Sequence, residues 1–301
     1  LIRVRFVGDA PTFGSSVFFN SNSVTVYYDS NYNGWSSAVD YRPAVDTNPL
    51  ALLTFTQNVE GTAYSVTNCI EYAFGSLEIP STYNGLPVTS IGSNALQSCS
   101  DLTNITIPDS VNSIGEEAFL DCTSLTSITI PDSLTSIGAF AFYNTEISFS
   151  EDNNFIKYLI SDSGNTAYLI DGSSSSGDTI LPNTINGASM AIIGDNAFQD
   201  CSSITSVIIP DSVTLIGDQA FRNCSILNSI TIGNSVTSIG YQAFQNCTSL
   251  ASITIPDSVT SIGKYAFSDC SGLTSIIIPD SMTSIGEGAF YRTGLSFLED
   301  S

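Results

Sequence analysis

Residues 105–138 read ITIPDSVNSIGEEAFLDCTSLTSITIPDSLTSIG, so that one phrase, ITIPDSVNSIG, returns almost unchanged as ITIPDSLTSIG. Its closing glycine recurs at Gly92, Gly115 and Gly138, and again at Gly194, Gly217, Gly240, Gly263 and Gly286. Within each group the interval is 23 residues, and 56 residues separate the groups. A fixed period in this range marks a chain of stacked, self-similar units.

One unit is legible chemically. Ile128 and Ile130 flank Thr129, the alternation of a short strand with one buried face. Pro131 has no N–H to give to a ladder and ends that strand. The PDS that follows is a turn sequence, with Asp132 suited to an Asx turn. Leu134 and Ile137 form a second short extended piece, and Gly138 is assigned a backbone bend that a Cβ would hinder. In the preceding unit EEAFLDC fits about one and a half helical turns, with Ala118, Phe119 and Cys122 facing inward. Asp121 recurs as Asp200, Asn223, Asn246 and Asp269, residue types that tolerate a left-handed backbone. No unit buries its apolar stripe alone. Stacking at a strand spacing of about 4.8 Å buries each stripe against the next.

These residues, LTSITIPDSLTSIG at 125–138 with EEAFLDC at 116–122, resemble the BspA-like leucine-rich repeat of bacterial and some protist surface proteins. The likeness covers about three quarters of the chain. It implies a right-handed leucine-rich-repeat solenoid, mostly β, with short parallel strands and short helical turns. It also implies a protein displayed outside the cell, acting in adhesion or interaction. A fold of this kind does not name its ligand.

The irregular stretches order the chain. Residues 1–20 align without a gap on residues 125–144, so residues 1–50 are read as the last repeat of a preceding array plus an aromatic closing tail around Trp35. Residues 51–148 then hold an opening unit and a first array, and residues 149–301 a hairpin insertion, a second opening unit and a second array. Both opening units, 62–92 and 166–194, lengthen the path from proline to glycine with an Asn-Gly turn. NNFIKYLISDSGNTAYLIDG reads as a hairpin turning near Ser163 and Gly164. One continuous solenoid is expected over 51–301. The first residue, Leu1, and the array-like ends suggest a segment of a longer protein.

Composition excludes several function classes. Seven Lys and Arg against 29 Asp and Glu give a net charge of −22, which repels nucleic-acid phosphates and anionic lipid. There is no His, which removes Ser-His-Asp and Cys-His catalysis within the chain. No apolar run is long enough to insert in a membrane as a helix. The chain is therefore read as non-enzymatic, with no cofactor beyond an optional calcium ion.

Three columns are candidate sites. Cys99, Cys122, Cys201, Cys224, Cys247 and Cys270 each follow a column glycine by seven residues. They lack CxxC spacing, so they are read as unbridged core residues, with Cys69 outside the column and unpaired. Asp109, Asp132, Asp211, Asp257 and Asp280 form a second column, either solvated turns or calcium ligands between coils. The outward strand positions Ser127, Thr129, Ser206, Ser229, Thr231, Ser252, Thr254 and Ser275 make a flat, uncharged face. It either solvates the sheet or receives a protein segment, a glycan or ice. Asn104, Asn223 and Asn246 sit in glycosylation sequons. The leading expectation is an extracellular scaffold for adhesion, or for self-assembly through copies docked end to end. The alternative is a carbohydrate-binding module of a larger secreted protein.

Overall fold

The computed structural model describes residues 52–70, 73–152 and 156–296, with the backbone alone of four earlier strands. Of these four, Ile2–Arg5, Val24–Tyr28 and Arg42–Asp46 run parallel side by side, and Ala38–Val39 pairs antiparallel with Arg42–Asp46. The aromatic cap expected around Trp35 lies outside the described residues.

Each coil is built from two short strands and a run of turns. Ser127–Thr129 lies parallel to Asn104–Thr106, and Ser136–Ile137 to Ser113–Ile114, every residue opposite its counterpart 23 positions away. The register cannot slip without breaking every column at once. Between the strands, EEAFLDC is not helical, and no helix occurs among the described residues from Leu53 onward. The backbone is left-handed at Glu117 (φ 55°) and Asp121 (φ 60°), which interrupts any helical ladder. Alternate N–H groups close turns within the coil, Leu120 to Glu117 at 3.1 Å and Cys122 to Phe119 at 3.2 Å. The intervening ones cross to the next coil, Glu117 to Ala139, Phe119 to Ala141 and Asp121 to Tyr143, at 2.8–3.1 Å. A helix would direct all of these bonds along its own axis, whereas the turns spend half of them tying coils together.

Inside, like stacks on like. The phenylalanine column runs Phe198, Phe221, Phe244, Phe267 and Phe290, with ring centroids 4.9–5.6 Å apart and planes within 10° of parallel. Burying each ring contributes about 2–3 kcal/mol. The column glycines are needed for close approach rather than for a bend. A Cβ on Gly115 would sit 2.4 Å from Ser93 N, and one on Gly138 2.3 Å from Glu116 N, and neither glycine has a positive φ.

Two stacks result, each opened by the same device. Leu53–Gln57 and Tyr64–Cys69 form an antiparallel hairpin before the first stack, and Lys157–Ile160 and Thr166–Asp171 form one before the second. Asn84-Gly85 and Asn186-Gly187, all with positive φ, turn the excursions Thr82–Tyr83 and Thr184–Ile185 back onto the following strands. These are the two-residue turns whose twist suits a hairpin.

The buried side chains group into two cores that share a wall at the second hairpin. The second hairpin is buried on both faces. Tyr158, Ala167 and Leu169 join the second core, while Leu159, Tyr168 and Ile192 join the first. The hairpin also caps the last coil of the first stack. Tyr168 Oη donates to Pro131 O (3.2 Å) and Asp162 N to Ile130 O (2.8 Å), and the following coil adds Asp195 N to Ile137 O (3.1 Å). Ile137 is consequently only 3% exposed.

Candidate functional site

The outward strand positions differ chemically from the threonine column beside them. Thr214, Thr237, Thr260 and Thr283 sit one above another, and each after the first donates to the threonine 23 residues back, as Thr237 does to Thr214 O (3.1 Å) and Thr283 to Thr260 O (2.8 Å). Thr135 and Thr214 make the same bond to Asn112 O and Ala191 O, so these hydroxyls are consumed by the architecture. The face hydroxyls are not. Ser127, Thr129, Ser229, Thr231, Ser252, Thr254 and Ser275 lie on strands aligned in register, and no hydrogen bond within the described residues occupies their side chains. Ser206 alone is engaged, donating to Asp178 Oδ1 at 2.7 Å together with Thr205 at 2.9 Å. Those two bonds hold the Asp178 carboxyl below its ordinary range, Ser206 contributing most.

Sequence reasoning overlooked an apolar row on this face. Ile208 lies opposite Thr231, and Ile277 opposite Thr254, and Ile180 lies opposite Ile208. All three isoleucines are exposed. Their signal was present in the sequence as apolar residues at positions where other coils carry threonine.

The cysteine column divides. Cys122, Cys201, Cys224, Cys247 and Cys270 are free and buried. Each thiol donates to a carbonyl of the preceding coil, as Cys224 does to Phe198 O (3.1 Å), Cys247 to Phe221 O (3.2 Å) and Cys270 to Phe244 O (3.0 Å). Burial pushes the thiols of Cys122 and Cys224 up to about 12. Cys99, expected unbridged, instead forms a disulfide with Cys69, whose Cα lies 6.8 Å away. The cause is a compensated exchange between the opening units. In the second, a Cβ on Gly172 would meet the Phe198 ring at 2.1 Å. In the first, the smaller Leu96 replaces that phenylalanine, and Cys69 takes up the space beside Cys99.

Two members of the aspartate column, Asp132 and Asp211, bond outside their own turn. Each PDS turn is closed by backbone, Val111 N to Pro108 O (3.0 Å) and Val259 N to Pro256 O (3.0 Å). Asp211 instead accepts from Asn234 N of the next coil (2.7 Å), and Asp132 accepts from Ser163 Oγ (2.7 Å). Among the described residues no group of three or more Asp, Glu, Cys or His side chains is arranged to hold a metal ion. The sequon asparagines are ladder residues too: Asn223 Nδ2 donates to Asp200 (2.7 Å), Asn246 to Asn223 (2.8 Å) and Asn104 to Ser76 (3.1 Å).

This repeated architecture has a recognised sequence pattern. The BspA type leucine rich repeat region matches residues 57–163 and 191–299 in six copies. The chain belongs to the BspA-type leucine-rich repeat family. Among solved structures it is similar to a leucine rich cell surface protein of Faecalibacterium prausnitzii, at 24% identity over 80% of this chain and 90% of that one, with a TM-score of 0.46. A leucine-rich repeat protein of Bacteroides ovatus matches at 25% identity over 80% and 90%, with a TM-score of 0.32. The pneumococcal vaccine antigen PcpA matches at 16% identity over 89% and 80%, with a TM-score of 0.42. Comparison with curated proteins returned no match. As a BspA-type repeat the chain is a parallel β-solenoid scaffold, and no helix of the described residues is long and apolar enough to cross a membrane.

Proposed function

We propose that the protein is a non-enzymatic, extracellular adhesive scaffold whose outward sheet binds an extended segment of a partner protein. The observation that supports this most is the division of hydroxyls. The threonine column through Thr237 and Thr283 holds coils together, whereas the face hydroxyls other than that of Ser206 stay free. Free donors and acceptors at the strand spacing suit a chain laid along the sheet, and the exposed isoleucines at 180, 208 and 277 add apolar anchors that suit a protein better than a glycan. The Cys69–Cys99 disulfide supports an oxidising, extracellular setting.

The test is adhesion of protein-coated beads to a cell layer. Ser229→Arg with Ser252→Arg places bulk and charge on exposed positions and should leave the melting temperature within about 2 °C. Adhesion should fall at least about tenfold through lost complementarity. Unchanged adhesion would remove the face from the mechanism. If the same variants abolish binding to a neutral polysaccharide instead, the carbohydrate-binding alternative takes its place.

A further inference from the structure

Where the two stacks meet, a cleft of about 430 Å³ opens between Phe140, Tyr143 and Phe149 of the first and Asp171, Asp195 and Asp200 of the second. We propose that this cleft is a second binding site, independent of the outward face, that takes the guanidinium of an arginine side chain from a protein partner.

The aromatic wall is out of keeping with its own repeat. Phe140 stands two residues after a column glycine, where other coils place Asn94, Glu117, Asn196, Gln219, Gln242 or Tyr265. The backbone there is left-handed, φ 52° at Phe140, a conformation that asparagine accepts at lower cost than a bulky ring. Yet Phe140 is 56% exposed, so burial does not offset that strain. Tyr143, where three other coils put Gln97, Gln199 and Gln245 and only the coil of Tyr291 repeats the ring, is 62% exposed. The two rings stand at 89° with centroids 6.0 Å apart, giving a corner of two faces. Exposed aromatic surface also occurs at Tyr241 and Tyr291, but at Phe140 and Tyr143 it lines a cleft beside carboxylates, which points to a ligand.

Charge selects the ligand. The cleft's one cation, Lys157, is paired with Asp171 at 3.0 Å. Asp195 and Asp200 have no cationic partner among the described residues, accepting only from Asp218 N and from Asn223 and Gln199 side chains. Aromatic faces beside uncompensated carboxylates attract an organic cation, and the net charge of −22 strengthens the field.

The final coil of the second stack supplies the template. Tyr291 is the counterpart of Tyr143, and the Arg292 guanidinium lies over its ring, 5.0 Å from the centroid. The same guanidinium is 3.8 Å from Asp269 Oδ1 of the preceding coil. In the first stack Arg292 is replaced by Asn144 and Asp269 by Asp121. Ring and carboxylate are kept there, while Asn144 Nδ2 reaches Asp121 at 2.8 Å and leaves the Tyr143 face without a cation. An arginine entering the cleft sets a cation over the Tyr143 ring, with Asp200 of the cleft wall rather than Asp121 as its carboxylate.

The experiment uses the whole chain and fluorescence anisotropy in about 150 mM salt. The probe is a labelled short peptide carrying two arginines, and the control is the same peptide with neutral citrulline. The double variant F140N/Y143Q installs residues that other coils carry at these positions, so its melting temperature should be unchanged or higher. The arginine peptide should bind, citrulline should weaken it about tenfold, and F140N/Y143Q should do the same. Asp200→Asn should weaken it severalfold. Equal binding to F140N/Y143Q would show charge attraction without a site and overturn the proposal. Failure of the peptide to bind, or preference for a neutral oligosaccharide lost in the same variant, would overturn it as well. The outward-face variants should leave this binding intact, which separates failure here from failure of the adhesive reading.

Discussion

At the residue scale the coil uses each side chain for one bond to its neighbour, and the cysteines show what such a bond contributes. Cys247 fills a buried site and donates to Phe221 O, so Cys247→Ala should cost about 1–3 kcal/mol, from a small cavity and an unpaired carbonyl. The shift of the urea midpoint measures it. The thiols should also be slow to alkylate at pH 8, because burial keeps Cys122 and Cys224 protonated up to about 12. Mass spectrometry after unfolding without reductant should find the five thiols other than Cys69 and Cys99 labelled. At coil ends the cysteine gives way to Thr145 and Thr293, whose hydroxyls turn back to Phe142 O and Phe290 O of their own coil.

At the element scale, the two opening units show how size is traded between positions far apart in sequence. Gly172→Ala drives a Cβ into the Phe198 ring and should destabilise the fold by about 2 kcal/mol or more. Phe198→Leu, which copies Leu96 of the first unit, should relieve much of that loss when combined with Gly172→Ala. A double-mutant cycle by chemical denaturation reads the coupling, and additivity would refute the paired exchange. The inner sheet makes a comparable substitution. Its outward column is Ser65, Ser90, Ser113 and Ser136 in the first stack, but Tyr168, Ile192 and Leu215 before Ser238, Ser261 and Ser284 in the second. The apolar members are those that pack on the first stack's core.

At the scale of the molecule, the junction and the far end of the second stack behave differently. Asp195 sits at the junction, and burial pushes its carboxyl up to about 7, with the charges of Asp218 and Glu116 adding and the Asp218 N–H opposing. The folded state therefore binds a proton more tightly than the unfolded one. Stability from this group is full below about pH 4 and is lost as pH rises through about 7. Asp195→Asn should flatten the dependence and raise stability at pH 8 by about 1 kcal/mol, seen as melting temperature against pH. At the far end, Ile285 is 47% exposed where its counterpart Ile137 is 3% exposed. The second hairpin makes that difference, and a second copy docked on the last coil would remove it. Concentration-dependent association in sedimentation, abolished by Ile285→Lys, is the expected outcome, and a monomer at all concentrations would count against end-to-end assembly.

The 23-residue period by itself determined the solenoid, the buried columns and the left-handed positions such as Asp121. All of these depend on bonds between a residue and its counterpart one coil away, so a repeating sequence carries them openly. It also placed the free hydroxyl face, since alternation along a strand decides which side chains point outward. It misled where the same local pattern has two realisations, reading EEAFLDC as helical although half of its N–H groups bond to the next coil. Tertiary structure decided how the stacks meet, which cysteine is bridged and that a cleft opens beside Phe140. Those features depend on contacts between segments with no shared period, across the gap from Gly138 to Gly194. There, the size and polarity of side chains such as Tyr168 and Leu96 acquire meaning only once the opposing surface is in place.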